Sequence, residues 1–347
     1  MKYGCGLLRN GTTGAVMVGL VCGLYVCSGQ CDKVEVIELS NWTITNQNGS
    51  LTIANQTLPL GIYSAFAPQV LDSYNDVGLR YLAYDNFTFS NFFQFDVHHF
   101  NRGHINLTFH GIDTVSEIRL NHQLLGRTDN MFVRYSYEVS SLLQAENFLE
   151  VEIQSPVVAA LARANALKEA KKSVPPECPN ERYHGECHMN MLRKMQASFS
   201  WDWGPAAPSA GIWKNVELEI YEVAVIREVD VDVSRVNGSY WNMHIRCFLD
   251  AGGWQNFNGR LVLYAVELLD RPVVVDRYAI KNISHLAPVI EFDQAVPNGK
   301  VVTWWPNGYG EQKLYPLHFT LKTWLGPDGP EVRSKTKSHK SLRVFNL

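Results

Sequence analysis

Long helical segments are what this sequence has least of. One stretch, 157–172 (VVAALARANALKEAKK), sustains a run of strong helix formers. Nowhere do such runs alternate with strand patterns, so no α/β barrel is encoded in these 347 residues. Clustered positive charge is also missing. Lys+Arg total 31 against 34 Asp+Glu, for a net charge of -3, and no basic stripe is present. Nucleic acid is therefore not an expected partner. After residue 27 no apolar run approaches bilayer length, so no membrane association is expected once the N-terminal segment is removed. His184 and His188 lie near Cys178 and Cys187, but their spacing matches no common structural zinc pattern. No metal and no cofactor is expected.

The N-terminus reads as a secretory leader. Lys2 and Arg9 supply positive charge, Gly14 to Cys27 is an apolar stretch of h-region length, and small residues at Ser28 and Gly29 predict cleavage there. Acceptor triplets of the form Asn-x-Ser/Thr begin at Asn41, Asn48, Asn55, Asn86, Asn106, Asn237 and Asn282. They agree with export and are expected to face solvent. Of seven cysteines, Cys5, Cys22 and Cys27 would leave with the leader. Cys178 and Cys187 bracket a short polar segment with a glycine and are the expected disulfide in an oxidising compartment. Cys247 lies in an alternating run and is expected to be a buried free thiol.

Most of the remaining chain alternates with period two, as half-buried strands do. Strand character marks 34–44, 51–60, 87–97, 104–110, 115–121, 123–126, 135–139, 147–153 and 214–221, with Asn121-His122 as a tight turn. Tyr135–Val139 and Asn147–Ile153 are expected to form a further pair. A second series follows at 223–233, 241–249, 259–269, 273–280, 289–292 and 314–324. About seven strands over such a length suit an immunoglobulin-like sandwich. The organisation expected is a leader at 1–29, a first sandwich at 30–222 with a helical and loop insertion at 157–213, and a second sandwich at 223–347.

The insertion carries the segment with most chemical promise, Trp201-Asp202-Trp203-Gly204-Pro205. Indole faces pack on the C–H faces of a sugar ring, and a carboxylate between them can accept hydrogen bonds from two hydroxyls. The alternative is a pair of core tryptophans beside a turn, with Asp202 capping backbone N–H groups. The residues alone leave both open. Glu177, Glu181 and Glu186 nearby read as loop charges.

The tract from Gly185 through Trp201-Asp202-Trp203-Gly204-Pro205, with Gly211-Ile-Trp-Lys, Val174-Pro-Pro-Glu-Cys-Pro, Thr128-Asp-Asn-Met-Phe, Gly111-Ile-Asp-Thr-Val and Trp304-Trp-Pro-Asn-Gly, resembles animal lysosomal β-mannosidases of glycoside hydrolase family 2. The matches run in the family's order over most of the mature chain. The resemblance implies an all-β chain: a galactose-binding-like jelly roll, then an immunoglobulin-like sandwich. In the family a (β/α)8 barrel follows, and it holds the glutamate pair of a retaining glycosidase, about 5–5.5 Å apart. Neither glutamate is placed in this sequence, and the last segment, Ser338 to Leu347, departs from the Gly-Phe-Arg strand usual there.

What the resemblance implies for function follows. The substrate would be an oligosaccharide with a terminal β-D-mannose, and Trp201, Asp202 and Trp203 would contact that sugar. Asp202 would bind hydroxyls while the tryptophans build the wall; Arg193 would be a surface or structural charge, the alternative being an ion-pair partner for Asp202. The chain alone is expected to be inactive, to belong to a monomeric enzyme, and to reach the lysosome, or else to be secreted. A carbohydrate-binding module or a pseudo-enzyme fragment is the alternative reading.

Overall fold

A computed structural model describes residues 34–96, 103–202, 204–236, 238–252, 256–281, 288–326 and 334–344. The leader, Cys31, Trp203, Asn237 and Asn282 lie outside the described residues. No helix among the described residues is long and apolar enough to cross a membrane.

The first part of the chain supplies β1 (Glu35–Glu38), β2 (Trp42–Asn46), β3 (Thr52–Gln56), β4 (Leu60–Gly61), β5 (Phe87–Gln94), β6 (His104–Phe109), β7 (Ile112–Asp113), β8 (Ser116–Leu120), β9 (Gln123–Thr128), β10 (Tyr135–Glu138), β11 (Glu146–Ile153), β12 (Gly211–Ile212) and β13 (Val216–Tyr221). They assemble into a four-stranded sheet, β1-β13-β6-β10, a six-stranded sheet, β3-β2-β5-β11-β8-β9, and a small closing sheet, β4-β12-β7. Every pairing is antiparallel. Alternation places Trp42, Phe87, Phe89, Phe109, Leu149 and Val151 between the two large sheets, where all are buried. This is the jelly-roll sandwich the sequence implied. Asn121 and His122, with φ of 50° and 68°, make the turn between β8 and β9. Successive positive φ values match the right-handed twist of a hairpin.

One pairing expectation fails. β10 pairs with β6, whereas β11 pairs with β5 and β8, so the two runs lie in different sheets. Period two shows that a run is a strand, but not which edge it joins.

The second part supplies β14 (Val225–Val236), β15 (Tyr240–Asp250), β16 (Asn256–Tyr264), β17 (Val273–Lys281), β18 (Val289–Pro297), β19 (Tyr315–Trp324) and β20 (Ser334–Leu342). A three-stranded sheet, β14-β15-β18, faces a four-stranded one, β17-β16-β19-β20. Met243, Ile245, Leu261, Leu263, Phe319 and Leu321 fill the space between, giving the immunoglobulin-like sandwich. The first part of the segment that departed from the family pattern, Ser338 to Leu342, joins the sheet within β20, in register along β19. Cys247 points into this core and is unpaired. Burial pushes its thiol up to about 12, so the thiolate that reacts is withheld. Thiol reagents at pH 8 are expected to leave the folded chain unlabelled there and to label it fully in denaturant; native-state labelling of Cys247 would contradict this placement.

Every residue of β6 from Ile105 to Phe109 is buried, an exception to the half-buried pattern. The outward-facing residues Asn106 and Thr108 meet a polar seam with the second sandwich. Asn106 Nδ2 donates to Tyr221 Oη at 3.0 Å and to Asp250 Oδ2 at 3.2 Å. Arg227 donates to Asp250 Oδ2 from Nε and Nη2 (2.9 and 2.8 Å) and to Glu219 Oε1 from Nη1 (2.7 Å). Burial opposes the Arg227 charge, but Glu219 and Asp250 outweigh it and hold its pKa above the ordinary value. Asn106, expected to face solvent as a glycan acceptor, is thus 7% exposed with its amide already donating. Asn41, Asn48 and Asn55 are exposed and Asn86 is half-buried.

Candidate functional site

The insertion starts at α3 (Pro156–Glu169), after the short helices α1 (Ile62–Phe66) and α2 (Asn75–Gly78) earlier in the chain. Ser155 caps α3 by accepting from the Val158 N–H at 3.1 Å, and Pro156 occupies the first helical position, where no N–H is needed. The helix begins one residue earlier than composition indicated and ends at Glu169, short of Lys172, because Lys171 has turned left-handed at φ 57°. Ala159 and Ala160 pack on Met189, Leu192 and Phe199, a small core belonging to the insertion.

Two buried ion pairs hold this insertion to the sandwich. Lys194 Nζ lies 3.3 Å from Asp113 Oδ2 and donates to Ser198 and Ser209 Oγ, each at 3.1 Å. Ser209 Oγ donates to the same Asp113 oxygen at 2.6 Å, and Thr114 donates to the other. Burial lowers the Lys194 pKa, against the opposing charge of Asp113. The second centre is Glu186, which accepts from Arg80 Nη1 at 2.8 Å and Tyr84 Oη at 2.7 Å. Glu186 is buried, which corrects its reading as a loop charge. Burial first, then the Glu186 hydrogen bond, pushes the Tyr84 hydroxyl up to about 12. Beside it Cys187 is joined to Cys178 in a disulfide. Neither partnership was visible locally, because Arg80 and Glu186 are 106 positions apart.

Between these anchors the chain turns outward. Phe199 and Ser200 are buried, Ser200 has φ 101° and Asp202 φ 45°. The Gly204 N–H donates to the Trp201 carbonyl at 2.6 Å, and Ser200 Oγ donates to the Gly204 carbonyl at 2.9 Å. A Cβ at Gly204 would stand 3.0 Å from the Trp201 carbonyl oxygen, so the tight turn favours glycine. At its tip Trp201 is 66% exposed. Asp202 is exposed and bonds to no other described residue. Trp201 is therefore not a core residue, and among the described residues Asp202 caps no backbone N–H. Arg193 is also exposed and lies against Asn130 through its backbone. It makes no ion pair with Asp202, in line with its reading as a surface or structural charge rather than with the ion-pair alternative. Trp203 lies outside the described residues.

Beside this turn is a cleft of about 410 Å³, lined by Leu71, Tyr74, Val77, Tyr183, Gly204 and Pro205, among others. It is open, with the rings of Tyr74, Tyr183 and His184 and a proline in its wall, and suits a small polar ligand with an apolar face. A larger hollow of about 510 Å³ around Asp270 and Gln294 lies on the second sandwich, away from this loop. Among the described residues no group of three or more His, Cys, Asp or Glu is placed to hold a metal ion. An exposed indole, an exposed carboxylate and an adjacent cleft can bind and orient a sugar. Two buried acidic groups nearby, Glu186 in the insertion and Asp113 on β7, are committed to Arg80 and Lys194.

Residues 42–214 match the family model described as the glycosyl hydrolase 2 galactose-binding domain-like. The chain is 35% identical over 326 residues to a beta-mannosidase of Capra hircus, covering 90% of this chain and 35% of that protein. It is 35% identical over 284 residues to a beta-mannosidase of Mus musculus, covering 80% and 31%. It therefore spans about a third of the length of these relatives. Among solved structures, a Beta-D-Mannosidase from Dictyoglomus thermophilum superposes with a TM-score of 0.69 at 24% identity, over 89% of this chain and 36% of that one. That likeness concerns the fold.

Proposed function

The chain belongs to glycoside hydrolase family 2, and on that premise we propose that it forms the sugar-orienting part of a β-mannosidase-type enzyme that removes terminal β-D-mannose from glycoprotein-derived oligosaccharides. The 35% identity to the Capra hircus relative over 90% of the chain carries this reading. Trp201 and Asp202 are the residues assigned to the sugar, with Trp203 as a further wall. The exposed indole would pack on the C–H face of mannose and the unengaged carboxylate would accept from its hydroxyls. Hydrolysis needs a second wall with two carboxylic acids, and no residue described here is assigned to either role. The boundaries 30–222 and 223–347 are proposed for the two sandwiches. Export is proposed from the leader-like N-terminus, the sequons and the Cys178–Cys187 disulfide, with the lysosome as destination.

A chromogenic β-mannoside tests the reading directly. These 347 residues are expected to give no turnover above background, and measurable turnover would overturn the assignment of a non-catalytic part. A second reading, a free-standing glycan-binding module, is favoured by the exposed Trp201 beside an open cleft. It requires calorimetric binding of a β-mannosyl oligosaccharide that is lost in Asp202→Ala. No heat from the unsubstituted chain would reject it.

A further inference from the structure

The outer face of the six-stranded sheet is interrupted by an aromatic pair. Phe92 on β5 and Phe148 on β11 are directly opposite in the antiparallel ladder. Their ring centroids lie 4.3 Å apart with planes 25° from parallel. Phe148 is half-buried and Phe92 is 77% exposed. The same face of β5 otherwise carries Thr88, Ser90 and Gln94, and that of β11 carries Glu150 and Glu152. Single exposed apolar residues are ordinary. A stacked pair on a polar sheet presents a flat π surface.

The neighbouring strand indicates what covers it. β2 runs antiparallel to β5 with Thr43 opposite Ser90. Asn41 is the residue just before β2, and Phe92 follows Asn91 on β5. Asn91 Nδ2 donates to the Ser40 carbonyl and holds this end of β2 against β5. Asn41 opens the triplet Asn41-Trp42-Thr43 and is exposed. Its φ of 65° is left-handed, which asparagine tolerates. Trp42 between them is fully buried, with Nε1 donating to the Leu39 carbonyl at 3.1 Å, so the triplet is pinned to the sheet. Ser40 and Asn91 being bonded, their chain neighbours Asn41 and Phe92 lie at the same end of the β2–β5 pair, and a pyranose ring attached at Asn41 starts there.

We propose that Asn41 carries an N-linked glycan whose first N-acetylglucosamine lies over the Phe92–Phe148 stack. The attachment consumes a lipid-pyrophosphate-linked oligosaccharide of the export pathway. Asn41 Nδ2 forms a bond to sugar C1, the bond from C1 to the pyrophosphate oxygen breaks, the lipid pyrophosphate leaves with the electron pair, and the amide gives up one proton. The C–H face of the ring then meets the electron-rich face of the phenylalanines. The glycan is held to the sheet and covers the one apolar patch on that face of β5.

The inference rests on the export part of the proposed function, and the experiment separates the two. The full chain is made in a eukaryotic secretory host and its glycopeptides are mapped. Occupancy at Asn41 is expected, together with occupancy at the exposed Asn48 or Asn55 and none at the buried Asn106. Glycans at Asn48 or Asn55 with Asn41 empty would overturn this inference alone, whereas a chain without any glycan would overturn export as well. Thr43→Ala, which removes the triplet and keeps Asn41, is expected to lower Tm by about 2–4 °C in the parent, but not in a Phe92→Ala background. In the folded glycoprotein the N-acetyl methyl protons of the first sugar are expected to show an upfield ring-current shift that Phe92→Ala abolishes. Equal Tm losses in both backgrounds without that shift would overturn the stacking. So would a Phe92-dependent dimer of the Thr43→Ala variant in sedimentation, since a second copy would then be the natural cover.

Discussion

Lys194→Ala is expected to be among the most damaging single substitutions in the first sandwich. It removes a cation with a fully buried side chain and leaves the Asp113 carboxylate, itself buried, without its charge partner. Breaking a buried pair from one side costs about 3–5 kcal/mol, which for a domain of this size lowers Tm by on the order of 10 °C. Because Lys194 also donates to Ser198, at the base of the segment leading to Trp201, limited proteolysis is expected to cut the 195–205 region first. Lys194→Met combined with Asp113→Asn removes both charges and keeps an acceptor for Ser209. The double variant is expected to recover more than half of the loss. A double variant no better than Lys194→Ala would show that packing, not the ion pair, sets the stability here.

Arg227→Ala is expected to separate the two sandwiches thermally. Arg227 bridges Glu219 on β13 and Asp250 at the end of β15, so its removal leaves two carboxylates facing one another across the seam. The loss is about 3 kcal/mol or more, read by calorimetry as a single unfolding peak that broadens or splits. Arg227→Lys is expected to rescue little, because one ammonium cannot reproduce three N–H donors in a fixed plane. Full rescue by lysine would mean that charge alone holds the seam.

The two substitutions probe contacts between residues far apart in the chain, and this is where the sequence was least informative. Local chemistry was well written. Alternation placed the strands, Asn121-His122 made the hairpin its residue types favour, and the Ala- and Leu-rich run formed α3. The Cys178–Cys187 disulfide followed from a short spacing. The failures share one cause. Asn106 read as a surface acceptor because it opens an Asn-x-Thr triplet, but the second sandwich covers its outer face. Glu186 read as a loop charge from its polar surroundings in sequence, yet its partners Arg80 and Tyr84 stand 106 and 102 positions away in the chain. For Arg193 the sequence left a surface charge and a partner for Asp202 side by side, while the fold turns its backbone to Asn130.

The Trp201-Asp202 turn shows the division most clearly. The sequence determined the all-β architecture, the insertion and the residue types a sugar would need, because those depend on periodicity, propensity and short-range turn chemistry. Whether the indole was buried or open to a ligand could not be read from it. That was decided by Phe199 entering the insertion's small core, by Ser200 and Asp202 taking left-handed conformations, and by the ion pairs of Lys194 and Glu186 fixing the loop's two ends. Exposure is a property of the whole packing arrangement, since a residue's solvent is displaced by atoms that are distant in the chain.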